Sequence, residues 1–201
     1  MVSCPDEVMS DDLKPAEPII FVSADLDEEL LAVAYIRMKV EGLLPIVYHE
    51  SIPPLSEFIA YHNKEKKHSY YDHYLGAFAR PTLDAPPELI GMGWLGGIRG
   101  PVGSIKGEVG FVFFRKWQQV KVPLVATRLM IDYCFDVAGV DIVVGTTPVK
   151  NRAALIFDRR LGFTQLPAIP NFTTFQGEPC DAVISYMTKP AWRDSNGTTA
   201  K

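Results

Sequence analysis

Residues 146 to 163 read TTPVKNRAALIFDRRLGF, and the reading of this stretch decides the fold. Asn151 suits a helix N-cap, because its short side chain accepts a hydrogen bond from an early helical N–H that has no partner within the helix. The chain from Asn151 to Leu161 reads as a helix, and Gly162 closes it because glycine takes the left-handed backbone there without a Cβ penalty. Immediately upstream, Asp141 to Gly145 is a compact apolar run of the kind that forms a buried strand.

Outward from this core, Pro123 suits the first turn of a preceding helix, whose Leu124, Ala126, Leu129, Met130, Tyr133 and Cys134 make an apolar face up to Gly139. Before it, Tyr74 to Ala79, Leu89 to Ile98 and Gly107 to Arg115 read as three strands of an antiparallel meander, separated by Pro and Gly clusters. Farther back, Asp25 with Glu28 makes a capping-box-like start to a helix. Leu30, Leu31, Ala34, Tyr35 and Met38 then recur at helical spacing until Gly42. A further helix is expected from Ser51, with Pro53 and Pro54 in its first turn, through Phe58. Pro18 to Val22 reads as a first strand and Asp181 to Met187 as a last one. The expected fold class is α/β (α+β), a mixed central sheet of about six to seven strands with about four helices. Residues 18–189 form the domain. The acidic, proline-bearing segment 1–17 and the tail 190–201 are expected to be flexible.

Composition narrows the function. With 201 residues and 47% hydrophobic content, the chain is long enough to bury one core unaided. A net charge of −4 offers no broad basic surface, which makes nucleic acid an unlikely partner. The apolar runs are too short to cross a bilayer, and the first twenty residues lack a basic-then-apolar signal pattern, so a cytoplasmic protein with no membrane partner is expected. Three widely spaced cysteines without a CxxC argue against a disulfide framework and against a zinc site. The cluster His62, Lys64, Lys66, Lys67, His68 and His73 reads as solvated surface, because it supplies no closed ligand set. No metal site is expected.

The order of elements and the stretch Thr146 to Phe163 together resemble the Gcn5-related N-acetyltransferase (GNAT) superfamily. In that pattern a strand is followed by an Asn, a helix with Ala three residues later, and a closing Leu-Gly-Phe; here these are Asn151, Ala154, Leu161, Gly162 and Phe163. The run from Gly145 through Pro170 and Gly177 to Asp181 and Trp192 further resembles phage-type GNAT-like proteins. The resemblance implies a sheet splayed between its fourth and fifth strands, with acetyl-coenzyme A (acetyl-CoA) held in the gap. It implies an acetyl-CoA-dependent N-acetyltransferase working by direct transfer to an amine acceptor, a protein lysine or N-terminus among the candidates. The resembled fold also raises a homodimer through the C-terminal strands, where Phe172, Phe175, Tyr186 and Trp192 would either make the contact or close a monomer core.

On the same resemblance, the cofactor-binding residues are Phe114, Arg115, Lys116, Gln119, Lys121, Val122, Leu124, Val125, Ala126, Thr127, Asn151 and Ala154. The sequence departs from the family in the pyrophosphate loop, whose usual glycines are missing. Gln119, Val122 and Leu124, or Lys121, Leu124 and Ala126, fall at their positions depending on the direction of counting, and Pro123 lacks an N–H. Arg115, Lys116 and Lys121 would then compensate by charge. A second departure is Asp158, which stands where many members carry the Tyr that protonates the leaving thiolate. It would serve only with a raised pKa, and a solvated helix carboxylate beside Arg159 is the ordinary reading. Glu108, at the start of the fourth strand, is the candidate general base, against an edge-strand charge facing water. His49 and Glu50 lie where the fold places acceptor-binding residues, with His49 able to titrate near neutral pH. The missing glycines and missing Tyr also admit a catalytically degenerate GNAT-fold protein, phage or virion-associated, that acts by protein–protein interaction.

Overall fold

The computed structural model describes residues 17–24, 26–48, 51–63, 71–118 and 121–196. The chain opens with strand β1 (Ile19–Ser23), then helix α1 (Glu28–Val40), the single turn α2 (Leu44–Val47) and α3 (Leu55–Asn63). A meander of β2 (Tyr71–Arg80), β3 (Glu88–Arg99) and β4 (Lys106–Phe113) runs through a 3-10 turn at Arg115–Trp117 into α4 (Lys121–Asp136). Strand β5 (Ile142–Pro148), α5 (Arg152–Leu161), the short β6 (Thr164–Gln165), the hairpin of β7 (Ile169–Phe175) and β8 (Glu178–Thr188), and α6 (Lys189–Asn196) complete it.

Among the described residues, eight strands form one sheet in the order β1-β2-β3-β4-β5-β8-β6, with β7 also paired to β8. Every pairing is antiparallel except β4 with β5. The sheet is thus mixed, as expected, with the short β6 and β7 beyond the strands read from the sequence. Helices α2 and α6 are likewise additional.

The sheet is covered on both faces. On one, Leu31, Ala34, Tyr35 and Met38 of α1 pack with Phe58 of α3 against Phe78, Met92 and Val112. On the other, Ala126 and Met130 of α4 meet Leu75, Ala77, Ile90 and Phe113, while Ile131, Cys134 and Phe135 meet Val109, Val143, Leu161 and Met187. Strand alternation explains the division, since Val112 faces α1 whereas Val109 and Phe113 face α4.

Three local readings are corrected. Helix α1 is capped by Asp27, whose carboxylate accepts from the Leu30 N–H at 2.8 Å, rather than by Asp25, which lies outside the described residues. Asp27 has the extended backbone that an N-cap needs. Helix α4 includes Lys121, two residues before Pro123; proline is tolerated there because first-turn N–H groups lack intrahelical acceptors. The expected tail from residue 190 begins instead as α6, because Trp192 is 1% exposed and packs on Phe135 with its indole N–H donating to Asp132 at 2.8 Å. Burying that indole against α4 outweighs the ordering of one short helix. No described helix is long and apolar enough to cross a membrane.

Candidate active site

Strands β4 and β5 pair through only three residues on each side, Lys106 with Ile142, Gly107 with Val143 and Glu108 with Val144. Beyond that rung, β4 continues to Phe113 and β5 to Pro148 without pairing to each other. The main-chain groups that face the gap follow from the neighbouring ladders. The Phe114 N–H donates to Ile90, so the even-numbered residues of β4 address β3; of the odd-numbered ones, Val109 spends its N–H on the last rung with Val144, and its carbonyl with the main-chain groups of Phe111 addresses the gap. The Val149 N–H donates to Asp181 and the Ile142 N–H to Ile105, so in β5 the odd-numbered residues address β8 and Thr146 addresses the gap. Two sheet strands thus offer each other unpaired amides and carbonyls, an arrangement that an extended amide-bearing ligand completes as an added strand would.

Gly145 sits at the point of divergence. A Cβ built there would meet only the Val109 carbonyl, at 3.8 Å, so the space beside it is open. Its cross-strand neighbour is Ser185, which is fully buried. The Ser185 hydroxyl donates to Asp158 Oδ2 at 2.9 Å, and the Thr147 hydroxyl donates to the same oxygen at 3.4 Å. Asp158 is therefore turned inward beneath β5 and β8 and is not a solvated surface charge. Burial raises its pKa, with the two hydroxyls opposing that shift in part.

Both helix N-termini that follow the diverging strands lie at the same end of the sheet. In α5, Asn151 caps the helix, its side chain accepting from the Ala154 N–H at 3.3 Å. The amides of Arg152 and Ala153 have no intrahelical acceptor by helix geometry, and with the macrodipole they favour an anion. In α4 the position of Pro123 in the first turn removes one such donor. Lys121 is exposed and its ammonium pairs with Glu17.

The other expected cradle residues divide by burial. Val122 and Leu124 are half-buried against the sheet, and Val125 is exposed. The side chains of Phe114, Ala126 and Thr127 are enclosed in the core, and the Thr127 hydroxyl has no hydrogen-bond partner. Arg115 and Lys116 do not present free charge to the loop. The Arg115 N–H and guanidinium bond Glu41, and the Lys116 ammonium bonds Glu88 at 2.9 Å. Both cations are thus engaged by carboxylates or carbonyls of α1 and β3. Gln119, His49 and Glu50 lie outside the described residues.

Glu108 closes the paired segment, register-matched to Gly96 and Val144. By strand alternation its side chain lies on the α1 face with Gly110, whose Cα is covered by the Trp94 indole so closely that a Cβ would fall 2.2 Å from the ring. Trp94 and Tyr74 are partly buried there against the α1 cluster. The gap thus separates Glu108, on one face, from Asp158, on the other. Sequence reasoning missed Thr147 and Ser185, whose alternation within β5 and β8 was the available signal. Among the described residues no group of three or more His, Cys, Asp or Glu could hold a metal ion. Cys134 is buried and its thiol pushed up to about 12 by desolvation, so it is no nucleophile.

No family model and no curated protein matches this sequence. Solved structures do match its fold. The spermidine N-acetyltransferase from Vibrio cholerae in complex with CoA and spermine superposes with a TM-score of 0.72 at 14% identity, over 86% of this chain and 97% of that one. Mutant forms of the spermidine/spermine N-acetyltransferase SpeG from the same organism give 0.70 at 13% identity, over 88% and 97%. At such identity the likeness is one of fold, and with the parted β4 and β5 it settles the architecture: this chain has the GNAT fold.

Proposed function

We propose that the protein is an acetyl-CoA-dependent N-acyltransferase that transfers the acetyl group directly to an amine. The observation that carries this reading is the divergence of β4 from β5 after Glu108 and Val144, with the half-buried Asp158 held by Ser185 beside it. The residues present fit the cofactor. The Val109 carbonyl and the main-chain groups of Phe111 and Thr146 suit the amides of a pantetheine arm, and the N-terminus of α5 suits its phosphates. The weaker α4 terminus, with Pro123 in its first turn, favours the second reading of a GNAT-fold binding protein without catalysis.

Acetyl-CoA, when bound, supplies a thioester carbonyl open to attack by an amine. Glu108 takes the proton that the attacking nitrogen must shed. The main-chain N–H of Phe111, directed into the gap, would donate to the carbonyl oxygen as charge develops on it. Asp158 stays protonated to higher pH than a surface carboxyl and gives that proton to the departing sulfur, while Ser185 and Thr147 hold its other oxygen. The acceptor is a small polyamine-like cation. The Vibrio cholerae enzymes that share this fold are spermidine N-acetyltransferases, and the Glu108 carboxylate with the Trp94 and Tyr74 rings offers charge and aromatic surface to an ammonium. A protein lysine or N-terminus is the remaining acceptor class.

Thiol release from acetyl-CoA with spermidine, spermine and a lysine peptide tests this directly. The polyamines should be turned over, and Glu108→Gln should lower kcat by about 100-fold or more, the ordinary contribution of a general base. Turnover of the peptide alone would move the acceptor class to proteins, and unchanged kcat in Glu108→Gln would remove Glu108 from the mechanism.

A further inference from the structure

Two carboxylates, one on the neighbouring strand β3 and one at the end of α1, bind the turn between β4 and α4. Glu88, at the start of β3, accepts from the Lys116 ammonium at 2.9 Å, the Trp117 indole N–H at 3.1 Å and the Arg37 guanidinium at 3.1 Å. Burial alone would raise its pKa, but these donors more than offset that and hold it below the usual carboxylate range. Glu41, at the C-terminus of α1, accepts from the Arg115 main-chain N–H at 2.6 Å and from Arg37 at 3.3 Å, while its carbonyl accepts from the Arg115 guanidinium at 2.7 Å. Arg37 ties the two together; it also donates to the Leu89 carbonyl at 3.0 Å and lies 4.4 Å over the Phe114 ring. Helix α1 on one face of the sheet is therefore fastened to the turn that delivers the chain to the α4 N-terminus on the other.

We infer that Glu41 and Glu88 are positioning residues for the cofactor. They fix the 3-10 turn at Arg115–Trp117, set where the α4 N-terminus meets the mouth of the gap, and hold the Arg115 and Lys116 cations away from the phosphates. This rests on the acetyl-CoA reading of the site. It has a consequence opposite in sign to simple electrostatics. Removing either carboxylate makes the protein less negative and releases a cation, so charge alone would tighten the binding of an anionic cofactor. Loss of the clamp loosens the turn and weakens it.

The test uses the full chain with Glu88→Gln, which is isosteric, and Glu41→Ala at the half-buried C-cap of α1. Calorimetric Kd for CoA should rise by about threefold to thirtyfold in each, the range for residues acting through a packed network. In the same variants kcat at saturating acetyl-CoA should stay within about twofold, because neither residue reaches the reacting atoms. Unchanged or tighter CoA binding overturns the inference. Amide exchange at Arg115 without cofactor separates the two layers, since it should quicken in Glu41→Ala whether or not CoA binds. Faster exchange together with a wild-type protein that ignores CoA would overturn the cofactor reading and leave the clamp as a feature of the fold alone.

Discussion

Replacing Gly145 puts the parted strands to a test in which stability and binding move in opposite directions. Gly145 has no positive φ, so it does not need glycine's backbone freedom, and a Cβ there meets only the Val109 carbonyl at 3.8 Å. A glycine inside a strand costs about 0.5–1 kcal/mol relative to alanine through the entropy of the unfolded chain. Gly145→Ala should therefore stabilise the protein by that amount, a rise in Tm of about 1–4 °C for a domain of this size. The same methyl, and more so the branched side chain of Gly145→Val, occupies the space in which the pantetheine arm would lie. CoA affinity should fall by about tenfold for the alanine variant, equivalent to about 1.4 kcal/mol. Thermal unfolding followed by circular dichroism and a calorimetric titration of the same preparations give the two readouts. A Tm lowered by several degrees would mean that the space is not open, and unaltered CoA binding would mean that it is not the cofactor's path.

Asp158→Asn separates function from stability at the other face. Its folded pKa lies above the unfolded value of 3.8, so wild-type stability is greatest below that value and declines as pH rises through the folded value. The Asn variant escapes this decline, and melting curves from pH 4 to 8 should show it gaining on wild type with rising pH. Its rate of thiol release should fall while its Tm does not, and a parallel loss of both would assign Asp158 a structural role. Trp192→Ala should destabilise by about 3–5 kcal/mol, the cost of emptying a buried aromatic site, as measured by urea unfolding. A loss under 1 kcal/mol would mean that α6 does not close the core.

The parts of the fold legible in the sequence were those whose signals are local. Asn151 and Gly162 bracket α5 through bonds made within four residues, and the structure shows both caps, with Gly162 at φ 89°. Helix α6 was misread because its stability depends on Trp192 reaching α4, a contact sixty residues away along the chain. A local hint existed in the Thr188 hydroxyl, which caps the Ala191 N–H at 3.3 Å. Asp158 beside Arg159 and Arg160 has the look of a solvated carboxylate. Only the pairing of β5 with β8 brings Thr147 and Ser185 beneath it. Arg115 and Lys116 were legible as cations but not as partners of Glu41 and Glu88, because the sequence does not say which face of the sheet a surface charge will find.

Calorimetric titration of the full chain with acetyl-CoA, beside CoA, decides whether the parted strands hold the cofactor. A single site of micromolar affinity for both ligands is expected, weakened in Gly145→Val and in Lys121→Glu. No heat of binding at millimolar acetyl-CoA would contradict it and leave a GNAT-fold protein that acts through a protein partner.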